Sequence, residues 1–378
     1  MVQLQGNCTL ADPIAFMSKE MQFVCFKLEH VITKTLSVCW QSPSNIALVK
    51  YWGKTGRQLP VNPSISMTLS ESYTETRLTV LPRESEGEIQ LDFWFEGMPN
   101  EAFGKRTAKF LDDVMDMFPW LAQVNLKLET RNTFPHSAGI ASSASAFSTL
   151  ALCLCSLEAE LFSVLLSEEE FRGKASYIAR LGSGSACRSI FPGFSVWGKT
   201  KALKKSTDFM AVQVEEVHPV FLTLHDTIFI VDSQQKAVSS SEGHKRMNEH
   251  PFAKGRVLQA NAHTSKLLEA LKTGDKETFI QIVESEALTL HALMMSSEEG
   301  FLLMQPETLA IINGVQRIRV EKKLDICFTL DAGPNVHVLS FGKLDELVGE
   351  LVVHELVKNN KQGYRIPDHY GLGPIKIG

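Results

Sequence analysis

The sequence predicts an α+β protein built from two packed domains with a cleft between them. Segments such as "SISMTLSESYTETRLTVL" alternate apolar and polar residues with period two, whereas others repeat apolar residues at helical intervals. The two kinds follow one another without strict alternation. A chain of 378 residues is long enough for two modest cores, and no repeat, low-complexity tract or flexible linker interrupts it.

Taken in order, "TLSVCWQSPSNIALVKYW" and "SISMTLSESYTETRLTVL" read as strands, and "GEIQLDFWFEG" as another ending at Gly97. "GKRTAKFLDDVMDMF" spaces Ala108, Leu111, Val114 and Met117 as a helix does, and "QVNLKLETRN" alternates again. The run "FSTLALCLCSL" reads as a buried helix opened by the small residues of "PHSAGIASSASAF". "SEEEFRGKASYIARL" begins with Ser167 and Glu170 at capping-box spacing and should end near Gly182. "GFSVWG" and "AVQVEEVHPV" are expected to close the first half as strands.

The second half is expected to begin near 215. It contains the strand "HDTIFIVDS", a helix from "FAKGRVLQANAH" stopped by Gly274, and the helices "KETFIQIVESEALTLHALMM" and "ETLAIINGVQRIRVE". "LDICFTLDAGPNVHVLSF" reads as two strands about a Gly-Pro-Asn turn, and "KLDELVGELVVHELVKN" as a final amphipathic helix. Residues 1–35 are treated as an extension of unknown role outside the catalytic body. Asp12, Lys19, Glu20 and Lys27 interrupt this stretch, so it lacks the apolar core of a signal peptide.

Composition narrows the function. Hydrophobic residues make up 44% and charged residues 21%, and 43 acidic against 38 basic side chains give a net charge of −5. Without a basic run, general binding to nucleic acid or anionic membrane is not expected, and any anion must be held in a local pocket. No apolar run reaches the roughly 18 residues of a membrane span. The seven cysteines form no CxxC pair, which suggests reduced thiols in a cytoplasmic protein.

Four stretches could carry chemistry. In "NTFPHSAGIASSASAF" a helix start lined with Gly, Ala and Ser suits phosphate, because its N–H groups are unpaired and its small side chains allow close approach. Ser142 and Ser143 could add hydroxyl donors, although no Gly-Lys-Ser/Thr follows as in a Walker loop. The alternative is a helix that needs small residues to pack against a strand. In "RLGSGSACRS", Ser183, Gly184 and Ser185 could face an anion that Arg188 grips through two parallel bonds, or they could merely cap a helix. Lys50 and Lys54 flank Tyr51 and Trp52, and Lys50 follows an apolar strand, where a buried cation is costly without an anion; the alternative is two solvent-facing lysines beside packing aromatics. Asp331 ends an apolar strand, where it could touch a substrate hydroxyl or cap the turn. The eleven histidines show no metal-ligand spacing, and His291 and His337 read as satisfied core residues. No chemistry is assigned to "PDHYGLGP".

The strings "SPSNIALVKYWGK", "LPVNPSISMTLS", "NTFPHSAGIASSASAF", "ARLGSGSACRSIFPGF" and "FTLDAGPNV", in this order, resemble the mevalonate diphosphate decarboxylase family of the GHMP kinase superfamily, over roughly residues 36–345. The resemblance implies a GHMP kinase fold. Its N-terminal domain (36–214) would be ribosomal-protein-S5-like with a left-handed βαβ unit, and its C-terminal domain (215–378) ferredoxin-like. It also implies conversion of mevalonate 5-diphosphate to isopentenyl diphosphate, with ATP and Mg²⁺ used and ADP, phosphate and CO₂ released.

By the same resemblance, the segment from Gly139 to Ser145 would wrap the ATP phosphates, with Ser142 and Ser143 as donors and Ser145 beside them. Tyr51, Lys54, Ser183, Ser185 and Ser240 would hold the substrate diphosphate, and Arg188 would pair with the substrate carboxylate. Lys50 and Asp331 would sit beside the tertiary hydroxyl, Asp331 accepting its proton or orienting it and Lys50 keeping Asp331 ionised. Ser241 stands where some members carry arginine, and His136 where a smaller residue is frequent. Related activities remain as alternatives: a 3-kinase, a phosphomevalonate decarboxylase, or a non-catalytic metabolite-binding relative. A homodimer is expected by resemblance only.

Overall fold

The computed structural model describes residues 23–135, 140–232, 249–342 and 364–378, with short pieces at 3–4, 14–17, 243–244 and 246–247 and single residues 347 and 350. The first half is organised around two long antiparallel strands, β1 (Leu36–Val49) and β2 (Ser64–Leu81), whose register shifts between Pro43 and Asn45 and between Ala47 and Val49. β3 (Gln90–Phe95) leads through helix α1 (Glu101–Asp113) to β4 (Asn125–Asn132), which lies parallel to β3 and antiparallel to the second half of β2. β5 (Phe194–Trp197) pairs instead with Ser64–Met67, the first part of β2.

This placement explains the pattern along β2. Its first six residues are all buried, and only from Glu71 onward does burial alternate. Strand residues covered on both faces need not alternate, whereas those with one wet face must.

Two helices back the sheet, α2 (Ser142–Leu161) and α3 (Glu168–Gly182). α2 is buried around most of its circumference, as its nearly continuous apolar sequence requires. By length and composition α2 could cross a membrane, but 83% of its most apolar window is buried inside the fold. α3 opens with the expected Ser167/Glu170 capping box. The expected strand "AVQVEEVHPV" shrinks to β6 (Val212–Gln213) on the edge of β5. Beyond it the chain carries exposed acidic residues and Pro219, which has no N–H to donate.

The second half is an antiparallel sheet in the order β8 (Ile326–Thr329), β9 (Val336–Phe341), β7 (Leu224–Ile230), β10 (Tyr364–His369). Helices α4 (Ala253–Thr273), α5 (Lys276–Met295) and α6 (Pro306–Lys322) accompany it, and α4 ends on Gly274 at φ +84° as expected. The expected last helix, "KLDELVGELVVHELVKN", lies outside the described residues except for Leu347 and Glu350.

The two halves are stitched together. β11 (Ile375–Lys376) returns to pair with β1. The carboxylate of Asp368 accepts the backbone N–H groups of Ser70, Glu71 and Ser72 at 2.8, 3.0 and 2.8 Å.

One expectation is corrected. The later part of the N-terminal extension belongs to the body: Phe26, Leu28 and Ile32 are buried in the first core, and Phe26 stacks on Phe162 at 5.0 Å. Gln123 fastens the Leu28 backbone from both sides, accepting its N–H at 2.8 Å and donating to its carbonyl at 2.9 Å. The charges at Asp12, Lys19, Glu20 and Lys27 say nothing of the apolar spacing of Phe26, Leu28 and Ile32 toward the end of the extension, which suits a core edge.

Candidate functional site

The small residues opening α2 serve two faces. Ala141, its N-cap, adopts the left-handed conformation (φ 44°, ψ 44°) and supplies no side-chain cap, so the first-turn N–H groups lack the usual capping oxygen. Ser142 and Ser143 are half-buried and line a cavity together with Phe93, Phe95, Arg106 and Asn132. The opposite face packs against the sheet. Ser145 is fully buried, with its hydroxyl 2.6 Å from that of Thr74, and Ser148 lies 2.5 Å from the Ser42 hydroxyl. Ser145, expected beside the phosphate donors, is therefore a tie between helix and strand. Both readings of the stretch hold, on different sides of one helix. Gly139, expected at the ATP phosphates, and Ser240, expected at the substrate diphosphate, lie outside the described residues.

The second small-residue loop meets the first. A Cβ on Gly182 would lie 2.2 Å from the Phe147 ring, and one on Gly184 would lie 2.7 Å from Trp197 and 3.0 Å from Tyr51. Only glycine lets the end of α3 approach α2 and the Tyr51 ring this closely. The hydroxyls of Ser143 and Ser183 consequently stand 3.2 Å apart, and those of Ser183 and Ser185 3.5 Å apart. Tyr51 is packed between Trp197 (4.6 Å) and His244 (4.2 Å), and its buried hydroxyl has no hydrogen-bond partner among the described residues. Burial pushes the Tyr51 pKa up, so it remains a neutral donor. His244 is held neutral, its pKa lowered to about 3 by burial and by the positive Lys54 and Arg188. Lys54 donates to Gln58 at 3.0 Å.

Lys50 and Asp331 come from opposite halves and meet at 3.1 Å. The lysine is 2% exposed and the carboxylate side chain 26%, so the carboxylate reaches solvent and the lysine lies behind it. Lys50 Nζ also donates to the Ala47 carbonyl at 2.5 Å. Burial lowers the Lys50 pKa, while Asp331 and Glu286 oppose that shift. Arg188 is likewise 2% exposed, but no carboxylate pairs with it among the described residues. It donates through Nε to the Ser66 hydroxyl and through Nη1 to the Ser64 hydroxyl at 2.8 Å, and its guanidinium lies over Trp197 at 5.8 Å. Burial lowers its pKa, and the charge of Asp331 counters this, so the three groups share one field.

Several contributors were not picked out from sequence. Ser64 and Ser66 lie within "LPVNPSISMTLS", a string that carries the resemblance without assigning either serine a role. Asn62 donates to the Lys50 carbonyl at 2.9 Å, and Asn45 donates to the Ser189 hydroxyl at 2.8 Å. Glu286 and Arg256 lie on helices whose polar residues carry no motif, while His291 is the satisfied core residue expected, buried with Nε2 3.1 Å from the Asp331 carbonyl oxygen. Burial of the polar positions within "SIS" and "ESEAL" was the missing signal, and it is a tertiary property.

Two family models match the chain: a diphosphomevalonate decarboxylase-like N-terminal domain over residues 42–209 and a mevalonate 5-diphosphate decarboxylase C-terminal domain over 227–369. A diphosphomevalonate decarboxylase from Ganoderma lucidum is 32% identical over 354 residues, covering 88% of this chain and 84% of that protein. The crystal structure of mevalonate diphosphate decarboxylase from Staphylococcus aureus superposes with a TM-score of 0.78 at 28% identity, covering 92% of this chain and 100% of that one. A solved complex described as MDDEF with MVAPP, AMPPCP and magnesium gives 0.75 at 31% identity, covering 91% and 99%.

Proposed function

The chain belongs to the diphosphomevalonate decarboxylase family, and from that premise we propose how its cleft carries out ATP-dependent decarboxylation of mevalonate 5-diphosphate. The reading rests on one observation above the rest: a carboxylate backed by a buried lysine at 3.1 Å, in the field of a buried arginine that no carboxylate pairs with among the described residues. Two desolvated cations are costly unless an anionic ligand completes the site.

Asp331 orients the C3 hydroxyl, or takes its proton, as the oxygen attacks the γ-phosphorus and the bond to ADP breaks. Lys50 keeps Asp331 ionised for this step. Arg188, fixed by Ser64 and Ser66, holds the substrate carboxylate by a two-pronged bond. The C3–O bond then breaks and its electron pair leaves with phosphate. As CO₂ departs, the electrons of the carboxylate's C–C bond form the new double bond. Positive charge developing at C3 is stabilised by Asp331.

Tyr51, Lys54, Ser183 and Ser185 supply neutral and cationic donors for the diphosphate. Ser142, Ser143 and the uncapped start of α2 supply donors for the ATP phosphates, and the adjoining cavity with Phe93 and Phe95 takes the base. Among the described residues no three His, Cys, Asp or Glu side chains gather to form a metal cage. A magnesium ion brought with the nucleotide would lie beside Ser142 and Ser143, which are half-buried at the cavity. When bound, it would supply charge neutralisation for the transferring phosphoryl group.

The domain division at 214/215, a homodimer and a cytoplasmic location belong to the same reading. Burial raises the pKa of Cys25 to about 11 and of Cys155 and Cys187 to about 12, which suits inert, reduced thiols. The direct test incubates the protein with ATP and mevalonate 5-diphosphate and measures CO₂ and ADP, with mevalonate 5-phosphate as competitor. Equal release of both products is expected; ADP without CO₂ overturns the reading.

A further inference from the structure

Lys50 is the first residue beyond β1, whose last ladder pair is Val49 with Ile65. A main chain leaving a sheet needs new partners for its N–H and carbonyl. Both partners of Lys50 include side chains of the other half. Its N–H donates to Glu286 Oε2 at 2.8 Å, and its carbonyl accepts from Arg256 Nη2 at 2.9 Å. Arg256 and Glu286 are themselves locked by two parallel bonds of 2.7 and 2.6 Å, and His263 Nδ1 lies 2.6 Å from Glu286 Oε1. The pair is 2% and 0% exposed, and desolvating two such charges costs several kcal/mol each before their attraction is counted. A less costly apolar contact would pack α4 on α5 equally well, but it could not reach across to hold the Lys50 peptide of the first half at both ends.

The same helix reaches the other member of the reacting pair. Five residues beyond Glu286, about 7.5 Å along the axis of α5, His291 Nε2 stands 3.1 Å from the carbonyl oxygen of Asp331. α5 thus touches the main chain of Lys50 through Glu286 and that of Asp331 through His291. We propose that Glu286 and Arg256 are positioning residues for the reaction, setting with His291 the place of Lys50 opposite Asp331 across the two halves. Neither Glu286 nor Arg256 contacts substrate in this arrangement; they act through Lys50. The proposal rests on the catalytic reading of Lys50 given above.

The test compares Glu286→Gln, which keeps the shape and removes the charge, with Arg256→Lys, which keeps the charge and removes the two-pronged geometry. Turnover is measured per nucleotide-binding site, so that a loss of folded protein does not count as a loss of rate. Both variants are expected to lose on the order of ten- to a hundredfold in kcat, the scale of a small misplacement of reacting groups, with KM for ATP and for mevalonate 5-diphosphate within about twofold. Unchanged kcat in either folded variant, or a fall matched by rising KM, overturns the proposal. So does failure of both variants to give soluble protein, which would mark the pair as a structural tie. Lys50→Met separates the two layers: if it turns over normally, the catalytic reading of Lys50 itself is lost. If Lys50→Met is inactive while Glu286→Gln and Arg256→Lys are normal, only the positioning role is lost.

Discussion

Two buried carboxylates, one in each half, show what burial does to charge. Glu158 on α2 pairs with Lys174 on α3 within the first core, and Glu286 on α5 pairs with Arg256 on α4 beside the Lys50 main chain. Burial pushes Glu158 up to about 7, and the charge and hydrogen bond of Lys174 only partly offset this. Burial would push Glu286 up as well, yet hydrogen bonds from His263 and Arg256, the charge of Arg256 and the Lys50 N–H hold it at about 2. The difference lies in the number of donors. Glu286 accepts on both oxygens, whereas Glu158 Oε1 has no hydrogen-bond partner among the described residues. A lysine is a point charge that can leave one oxygen dry, while the arginine fork serves both. The fully satisfied carboxylate is the one that holds the reacting lysine.

The strongest way to separate the regions is to remove their charges and follow turnover. Asp331→Ala is expected to keep nucleotide binding and lose at least about 10³-fold in kcat, as befits the group beside the reacting hydroxyl. The paired change Glu158→Gln with Lys174→Met should leave kcat within about twofold. A large loss from the core pair would erase the distinction.

Arg188→Met comes next, with a fall in kcat/KM for mevalonate 5-diphosphate on the order of 10²-fold. Arg188→Lys should recover little of it, because one ammonium cannot replace a two-pronged contact. Near-complete recovery by lysine would show that only the charge matters.

Stability against pH sharpens the comparison with opposite signs. The folded pKa of Glu286, about 2, lies below the ordinary 4.5, so its contribution is present above pH 4.5 and is lost as pH falls toward 2. The folded pKa of Glu158, about 7, lies above 4.5, so the folded state binds the extra proton and stability declines as pH rises from 4.5 to 7. Denaturant titrations across pH should find the acid-side loss flattened in Glu286→Gln and the decline toward neutrality flattened in Glu158→Gln. Identical profiles for the two variants would contradict the assignment. The smallest effect is expected from Ser64→Ala. It removes one of the two hydroxyls holding Arg188 and should raise KM for mevalonate 5-diphosphate about two- to fivefold, the worth of one modest hydrogen bond.

Much of the site could be read in the sequence because its parts are local. "KYWGK", "SGSACRS" and "LDAGPN" each bring a charged group and its small neighbours within a few residues, and the structure brings Lys50, Arg188 and Asp331 into one field. Ser142, Ser143, Ser183 and Ser185 likewise stand together where two short loops meet. Ser145 misled because residues three apart on a helix share a face only approximately: Ser142 looks out to the cavity and Ser145 in to Thr74. "PDHYGLGP" showed no chemistry because its one telling residue, Asp368, acts on N–H groups nearly three hundred positions away.

The order of strands and helices, the small residues that let α2 and α3 meet, and the identities of the charged groups were all set by the sequence alone, since each follows from periodicity or side-chain size within a short window. Tertiary structure decided which charges are buried, which are fully satisfied, and that one helix touches the backbones of both Lys50 and Asp331. Desolvation and hydrogen-bond completeness depend on every neighbour at once, and those neighbours are gathered from strands and helices far apart in the chain.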